Sequence, residues 1–358
     1  MAHSHTWCAT ALCLPLMNPL NRGQELELTL LITVILIALA YDFVNGMDDC
    51  ANAIATVVST RTLTPRQAII LACVLNTAGA FITTQVAKTI GKGIVDPSNP
   101  AVTQGFIMAG LIGATLWTLG CWYLGLPTSV SHALVGGLVG VTLVRLGWQD
   151  LQMAGLIKVG IGMILAPTLG FFVGFLTLTA TNWVCHLLKI TPAKGTIGFR
   201  WLQILSAMYM ALTHGMNDTQ NAMGIITMSL VSYGVLETFH VPFWVILICG
   251  AAMGLGTYMG GWRIIRTMGM KIASLRTIHG FSAETAAATI TGLASVFGLP
   301  VSTTHTITSS IMGVGSVRSL SMVRWGVAGR IIGAWVFTVP GSAIIGIVAW
   351  WIIAPFGI

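Results

Sequence analysis

The sequence is short of charge. Its 358 residues contain 17 Lys and Arg and 10 Asp and Glu, so charged side chains are 8% of the chain, against roughly a quarter in soluble domains. A water-soluble domain of this size cannot cover its surface with so few. Cysteine pattern is also missing. The seven (Cys8, Cys13, Cys50, Cys73, Cys121, Cys185 and Cys249) include no CxxC pair, which excludes a secreted disulfide scaffold. No Cys/His/Asp spacing resembles a zinc site. No GxxxxGK[ST] or GxGxxG follows a strand pattern, so ATP-driven work by this chain is not supported. No long hydrophilic insertion interrupts the chain, which points to one integrated membrane domain.

Apolar residues fill the gap, at 55% of the chain with a mean hydropathy of +0.85. Disorder and collagen are excluded by the same figures. The class is an all-α polytopic membrane protein. Uncharged stretches run over 67–87, 97–144, 159–188, 201–217, 219–236, 238–262, 285–317 and 331–358, and 28–60 is apolar except at Asp42, Asp48 and Asp49. A crossing helix needs about 20 apolar residues, so the chain carries about 10–12 membrane segments. Residues 101–144 and 280–317 read equally as shallow hairpins or as pairs of full spans. Residues 1–24 form an external tail with no signal-peptide pattern.

Basic residues set the orientation. Lys189, Lys194 and Arg200 mark a short cytoplasmic linker, 189–200. Suppose 201–236 crosses once, as a broken helix. Then Arg61, Arg66, the 263–276 cluster, Arg318, Arg324 and Arg330 fall inside with the linker, and Arg22, Lys88, Lys92, Arg145 and Lys158 fall outside. Both termini come out external. These clusters serve orientation, and no nucleic-acid partner is expected.

Two motifs recur. Asn45-Gly-Met-Asp-Asp-Cys-Ala-Asn-Ala53 returns as His214-Gly-Met-Asn-Asp-Thr-Gln-Asn-Ala222, and Gly125-Leu-Pro-Thr-Ser-Val-Ser-His132 returns as Gly298-Leu-Pro-Val-Ser-Thr-Thr-His305. The offsets, 169 and 173, nearly agree, and Gly140-Val141 and Gly313-Val314 keep the second register. Residues 25–188 and 201–358 are therefore two copies. The topology starts the first copy outside and the second inside, so the repeat is inverted. Inverted repeats with broken helices are secondary-transporter architecture, with the site between the repeats.

The motifs suggest chemistry. Asp49/Asn52 and Asp218/Asn221 each place a carboxylate and an amide on one helix face. Hard oxygens of this kind suit Na⁺ or a transferable proton. Gly46 and Gly215 are expected to let the helix unwind and free carbonyls for the same cation. In the second motif Pro ends one helix and starts the next. Thr128, Ser129, Ser131, Ser302, Thr303 and Thr304 follow it, where helix N-terminal N–H groups and hydroxyls can hold an oxyanion. The competing reading is plain helix capping. His132 and His305 are expected to bond backbone, with a proton relay as the other option. Asp48, Asn76, Glu284, Asn45 and Asn217 are candidates for gating or coupling. Glu284 reads equally as part of the cation route or as a solvated interfacial residue.

These four segments resemble the signatures of the inorganic phosphate transporter (PiT) family. The likeness spans about 28–355 and extends to Phe281-Ser282-Ala283-Glu284 and Trp335-Val336-Phe337-Thr338. It implies a symporter importing phosphate with Na⁺ or H⁺ across the plasma (inner) membrane, with no cofactor and no catalysis. A homodimer is left open. By the resemblance Asp49, Asn52, Asp218 and Asn221 handle cation and phosphate, Ser129, Ser131, Ser302, Thr303 and Thr304 bind the anion, and Glu284 is needed for transport. Departures from the family pattern are Asp48, where Asn or His is usual, and Val130, which leaves the first tip one hydroxyl fewer. Leu111 and Asn76 stand where some animal members have acidic residues, and the 181–200 linker is short. Rival readings are a sulfate permease, an intramembrane hydrolase and a passive anion channel.

Overall fold

A computed structural model describes residues 19–190 and 192–357, with side chains from 25 to 190 and from 197. The tail expected over 1–24 thus lies almost wholly outside the described residues. Twelve α-helices follow one another: α1 Pro19–Ser59, α2 Pro65–Gly79, α3 Gln85–Gly93, α4 Gln104–Leu124, α5 Val130–Arg145, α6 Met153–Leu187, α7 Pro192–Ser232, α8 Phe243–Met259, α9 Trp262–Arg266, α10 Thr277–Val296, α11 Thr303–Ser316 and α12 Trp325–Ile353. The described residues include no strand. Four helices (α1, α4, α6 and α12) are long and apolar enough to cross a membrane. A fifth candidate is α8 with the segment Trp262–Lys271, bent by 60°. Large apolar side chains such as Leu36, Ile164, Phe172, Val336 and Trp351 face outward, as lipid contact requires. The chain is an integral, multi-pass membrane protein.

The second six helices repeat the order of the first six. A very long helix opens each set, 41 residues in both cases. A shorter second helix and a very short third follow, then a helical hairpin, then a long final helix carrying a proline, Pro167 in α6 and Pro340 in α12. Packing is exchanged between the sets. α5 lies on α12 while α11 lies on α6, and α1 lies on α8 while α7 lies on α2.

Two expectations change here. The motif helices are not broken. α1 runs through Gly46 and α7 through Gly215 without interruption. Both glycines serve close approach instead: a Cβ on Gly46 would lie 2.3 Å from the Met253 carbonyl oxygen, and one on Gly215 would lie 2.1 Å from that of Asn76. The breaks fall after the second helix of each set. Residues 67–87 divide into α2 and α3, and residues 238–262 break at Gly260, whose φ of +73° suits glycine. The linker also shrinks, because Pro192 starts α7 where 189–200 was expected to be a connection; proline is preorganised for a helix start.

Two apolar clusters lie on either side of a polar layer. One holds Val34, Ala38, Tyr41, Phe106, Leu134, Met223 and Ile225. The other holds Ile54, Met210, Ala211, Met268, Ile307 and Trp335. Along α1 the stretch 42–49 separates them, and along α7 the stretch 213–221 does. Both first motifs fall in that layer. Each hairpin turns beside it, since Gly125 and Gly298 end α4 and α10 in the left-handed region, with φ of +67° and +66°.

The helix contacts at Gly46 and Gly256 give a stability test. A Cβ on Gly256 would lie 2.0 Å from the Phe43 carbonyl oxygen. Gly46→Val and Gly256→Val should each lower the melting temperature in detergent, with a cost of about 1–3 kcal/mol or more for overpacking. Gly160→Ala, where an added Cβ meets nothing within 4 Å, should leave it unchanged or raise it slightly. Equal melting of all three proteins would remove the close-approach explanation.

Candidate functional site

The site is built where α1 and α7 meet the hairpin tips. Asp49 and Asp218 are both buried, and both face the second tip. Thr304 Oγ1 donates to Asp49 Oδ1 at 2.8 Å, and Thr303 Oγ1 donates to Asp218 Oδ2 at 2.8 Å. Asn52 Nδ2 donates to both hydroxyls at 3.0 Å. Each threonine thus accepts from Asn52 and passes its proton toward one aspartate. On the other side Asn221 Nδ2 donates to Ser131 Oγ at 2.7 Å. Val130 stands where the second tip has Thr303, so Asn221 finds one hydroxyl there and Asn52 finds two.

Around Asp218 the bonds tighten further. Asn217 Nδ2 donates to Asp218 Oδ1 at 2.6 Å and to the Val301 carbonyl at 2.8 Å, and Asn217 Oδ1 accepts from Ser295 at 3.1 Å. Asn45 Nδ2 donates to the Asp218 carbonyl at 3.3 Å. His214, one turn earlier on α7, places Nε2 3.2 Å from Asp218 Oδ2. Its other nitrogen is fixed by a chain of bonds. Thr257 Oγ1 donates to the Met253 carbonyl, so it accepts from Asn76 Nδ2 at 2.9 Å. Asn76 Oδ1 therefore faces His214 Nδ1 at 3.0 Å, and Nδ1 carries a proton. Nε2 then meets Asp218 either as the second N–H of an imidazolium or as a lone pair sharing a cation with the carboxylate.

That second state has a ready set of ligands. Asp49, His214 and Asp218 offer atoms within 4.8 Å of one another, and all three are buried. The Asn45, Asn52 and Asn221 amide oxygens are buried without a hydrogen-bond partner. Unpaired buried oxygens are costly unless something binds them. Carboxylate and amide oxygens are the ligands of a hard cation.

The remaining candidates divide. Ser129 and Ser302 accept from the His132 and His305 backbone N–H groups at 3.2 and 3.1 Å, so their oxygens cap α5 and α11. Thr128 Oγ1 is buried without a partner. Asp48 is fully buried and neither of its oxygens is bonded. Glu284 is fully buried as well, and it accepts the hydroxyls of Thr56 and Ser206, one on each oxygen. It is not a solvated interfacial residue, because α1 and α7 close over α10 at that point. His132 and His305 do not bond backbone through their rings; all four ring nitrogens lack partners. The rings pack edge to face with centroids 5.0 Å apart, and His305 stacks on Trp335 at 4.0 Å. Trp335 in turn donates its indole N–H to the Pro127 carbonyl at 3.1 Å. The second tip, the first tip and α12 are locked together by that stack.

Sequence reasoning missed two contributors, Thr56 and Ser206, which hold Glu284. It left His214 open between a structural role and a proton relay, and the structure brings it into the central cluster. His214 had a signal, since it opens the second motif where Asn45 opens the first. Thr56 lies seven residues beyond Asp49, in register on the same helix face.

The chain is similar to known proteins over most of its length. The model of the phosphate transporter family matches residues 45–346. A probable low-affinity inorganic phosphate transporter of Rhizobium meliloti (strain 1021) is 46% identical over 322 residues, covering 89% of this chain and 95% of the relative. One of the same description from Bacillus subtilis (strain 168) is 44% identical over 336 residues, covering 92% and 99%. Among solved structures, the sodium-dependent phosphate transporter superposes with a TM-score of 0.79 at 27% identity, covering 91% of this chain and 99% of its own. Two co-ordered motif pairs, a buried oxygen-rich cluster between them and a family match across most of the length lead to one conclusion: the chain belongs to the phosphate transporter family.

Proposed function

We propose that this protein imports inorganic phosphate with a cation as symport partner, by alternating access around the cluster of Asp49, Asn52, Asp218 and Asn221. One observation carries the reading. The acidic motifs and the hairpin tip are bonded to each other, through Thr303, Thr304 and Asn52. Phosphate cannot approach two carboxylates unless cations neutralise them. Opposite charges 4 Å apart attract by about 4 kcal/mol at an effective dielectric constant near 20, so cation and anion each raise the other's affinity. Na⁺ is the favoured partner because the cluster is rich in oxygen and the solved relative is described as sodium-dependent; H⁺ is the alternative. The hydroxyls of Thr128 and Ser131, with the first N–H groups of α5 and α11, supply anion donors, and the Thr303 and Thr304 hydroxyls join them when a cation takes their place on Asp218 and Asp49. Ser129 and Ser302 shape those helix ends. Glu284, Asp48, Asn76, His132, His305, Asn45 and Asn217 surround the site and set gating and coupling. The reading includes no catalytic residue.

The architecture in this reading is an inverted repeat, 25–188 and 201–358, joined by 189–200, in the plasma membrane with both termini external. Exchanged packing between the two helix sets supports it. α5 and α11 have 16 and 14 residues, about 24 and 21 Å. Both fall short of the roughly 30 Å hydrocarbon core, which favours re-entrant hairpins whose tips meet near the midplane.

Uptake of labelled phosphate into proteoliposomes with imposed Na⁺ or H⁺ gradients tests the reading, and added sulfate tests the substrate. Asp49→Asn and Asp218→Asn should abolish gradient-driven accumulation at normal protein levels. Near-normal accumulation in both would remove the cation assignment. Thr304→Val deletes hydrogen bonds in which Asp49 is the charged partner, worth about 1.5–3 kcal/mol. The apparent KM for phosphate should rise about tenfold or more. An unchanged KM would take the second tip out of the site.

A further inference from the structure

Three lysines converge where the orientation rule disfavours them. In the arrangement proposed above, Lys88, Lys92, Arg145 and Lys158 are the external basic residues whose side chains are described, and external loops are poor in Lys and Arg. Three of these four line one groove. Orientation does not explain them, and neither do ion pairs, since among the described residues no Lys is paired with a carboxylate. The external acids Asp96, Asp150 and Glu237 are absent from the lining. Asp96 accepts the Ser98 N–H instead, and Asp150 accepts from Asn99.

The groove runs between α3 and α6. At its rim the two helices touch: a Cβ on Gly155 would collide with the Gly93 carbonyl, and the Gln152 N–H donates to the Ile94 carbonyl at 2.9 Å. At its floor lies the second hairpin tip. A Cβ on Gly298 would lie 3.1 Å from the Gln85 carbonyl oxygen, and one on Gly162 would lie 2.7 Å from that of Pro300. Thr89 Oγ1 also donates to the Gly298 carbonyl at 2.8 Å. The walls are thus antiparallel, and Gly93 stands about 12 Å above Gln85 at a 1.5 Å rise. Lys88 and Lys92 are one turn apart on α3, and Lys158 is one turn beyond Gly155 on α6, so all three lie between rim and floor. The start of α6 carries no side-chain cap and adds N–H donors at the rim. The groove holds about 360 Å³, the liquid volume of about a dozen waters.

The floor adjoins the central site. Four residues past Gly298 the same tip presents Ser302, Thr303 and Thr304. α3 rests on α7 at that level, where the Ala87 N–H donates to Gln220 Oε1 at 2.9 Å, beside Asn221. We propose that this groove is an external capture site for inorganic phosphate, in which Lys88, Lys92 and Lys158 hold the anion before it reaches the second tip. This rests on the transport reading above and its orientation. The central cluster has need of such a partner. Among the described residues it pairs Asp49 and Asp218 with no Lys or Arg, so at long range it repels phosphate until cations are bound. A cleft lined by one sign of charge raises local counter-ion concentration and on-rates by about 10–10³-fold. Lysine binds phosphate as a point charge, without the fixed fork of arginine, which suits brief capture and release. The phosphate of an anionic lipid has the same chemistry, and Phe297 stands exposed at the groove's edge, so the test separates the two sources.

The test uses the full chain in proteoliposomes, with labelled phosphate presented to the external face. Na⁺ and pH are held constant while choline chloride sets the ionic strength. The triple variant Lys88→Gln, Lys92→Gln and Lys158→Gln should raise the apparent KM about tenfold at low salt, with the maximal rate unchanged. The difference should largely disappear at about 1 M salt, where the Debye length is about 3 Å. Arg at the same three positions should keep the wild-type KM. So should Arg145→Gln, which removes an external charge that lies over Trp350, outside the groove. The double variant Lys92→Gln and Lys158→Gln changes only exposed side chains; it covers failure of the triple variant to fold and should raise KM severalfold. An unchanged KM in the lysine variants, a rise that persists undiminished at high salt, or an equal rise in Arg145→Gln overturns the inference. In vesicles of phosphatidylcholine alone the wild type and the lysine variants should still differ. A difference confined to vesicles containing phosphatidylglycerol would give the groove to a lipid headgroup and overturn capture of free phosphate. A wild type that neither takes up nor exchanges phosphate would sink the transport reading itself, whereas wild-type uptake matched by the lysine variants would sink only the capture site.

Discussion

Two carboxylates cannot sit within 4.8 Å of each other in an apolar helical array and both stay ionised without counter-charge. That constraint organises the centre of this protein. Among the described residues the Asp49–Asp218 pair is met by one imidazole, two threonine hydroxyls and amide donors, and by no Lys or Arg. Several neighbours in the polar layer serve the pair. Asn52 orients the threonines, Asn217 ties Asp218 to the second tip, and the Thr257–Asn76–His214 chain fixes which nitrogen of the imidazole faces the carboxylate. Charge still missing from this shell is what a coupled cation supplies in the symport reading. In that reading the same deficit makes phosphate binding conditional on the cation.

Holding such a shell requires helices that approach closely and do not shift. Glycine provides the approach, where α1 lies on α8 and α7 on α2. The hairpin tips are held by the stack of His132, His305 and Trp335 and by the indole bond to Pro127. Apolar clusters above and below seal the layer. A rigid tip bonded to both acidic motifs is also a natural lever. In the symport reading a cation bound to the aspartates competes with the Thr303 and Thr304 hydroxyls for them, which would loosen the tip and let the two helix sets move around the site.

Much of this was legible in the sequence, for a physical reason. Buried polar residues are expensive in a membrane, so the few that persist stand out, and their recurrence in Asn45–Ala53 and His214–Ala222 identified the pair before any fold was known. What could not be read were contacts between distant stretches of the chain, 207 residues apart for Gly46 and Met253 and 139 for Gly215 and Asn76. Gly46 and Gly215 looked like places where a helix unwinds, and only the facing carbonyls of Met253 and Asn76 show them to be points of close packing. Ser129 and Ser302 accept the His132 and His305 N–H groups and so cap their own helices, a role compatible with donating the hydroxyl proton to an anion. Both roles fit the same local pattern, and periodicity does not encode which partners each side chain meets. Pro167 and Pro340 kept the offset of 173 and could have extended the repeat into the final helices.

Mutual dependence of cation and phosphate is the central claim, and it is measurable without transport. Calorimetric titration of phosphate into the purified protein, in Na⁺ and then in a large organic cation at equal ionic strength and several pH values, reads it directly. The account predicts that phosphate affinity falls by about 5–150-fold when neither Na⁺ nor excess H⁺ is present, and that Na⁺ affinity falls equally without phosphate. Phosphate binding of equal strength in every cation and at every pH would contradict it.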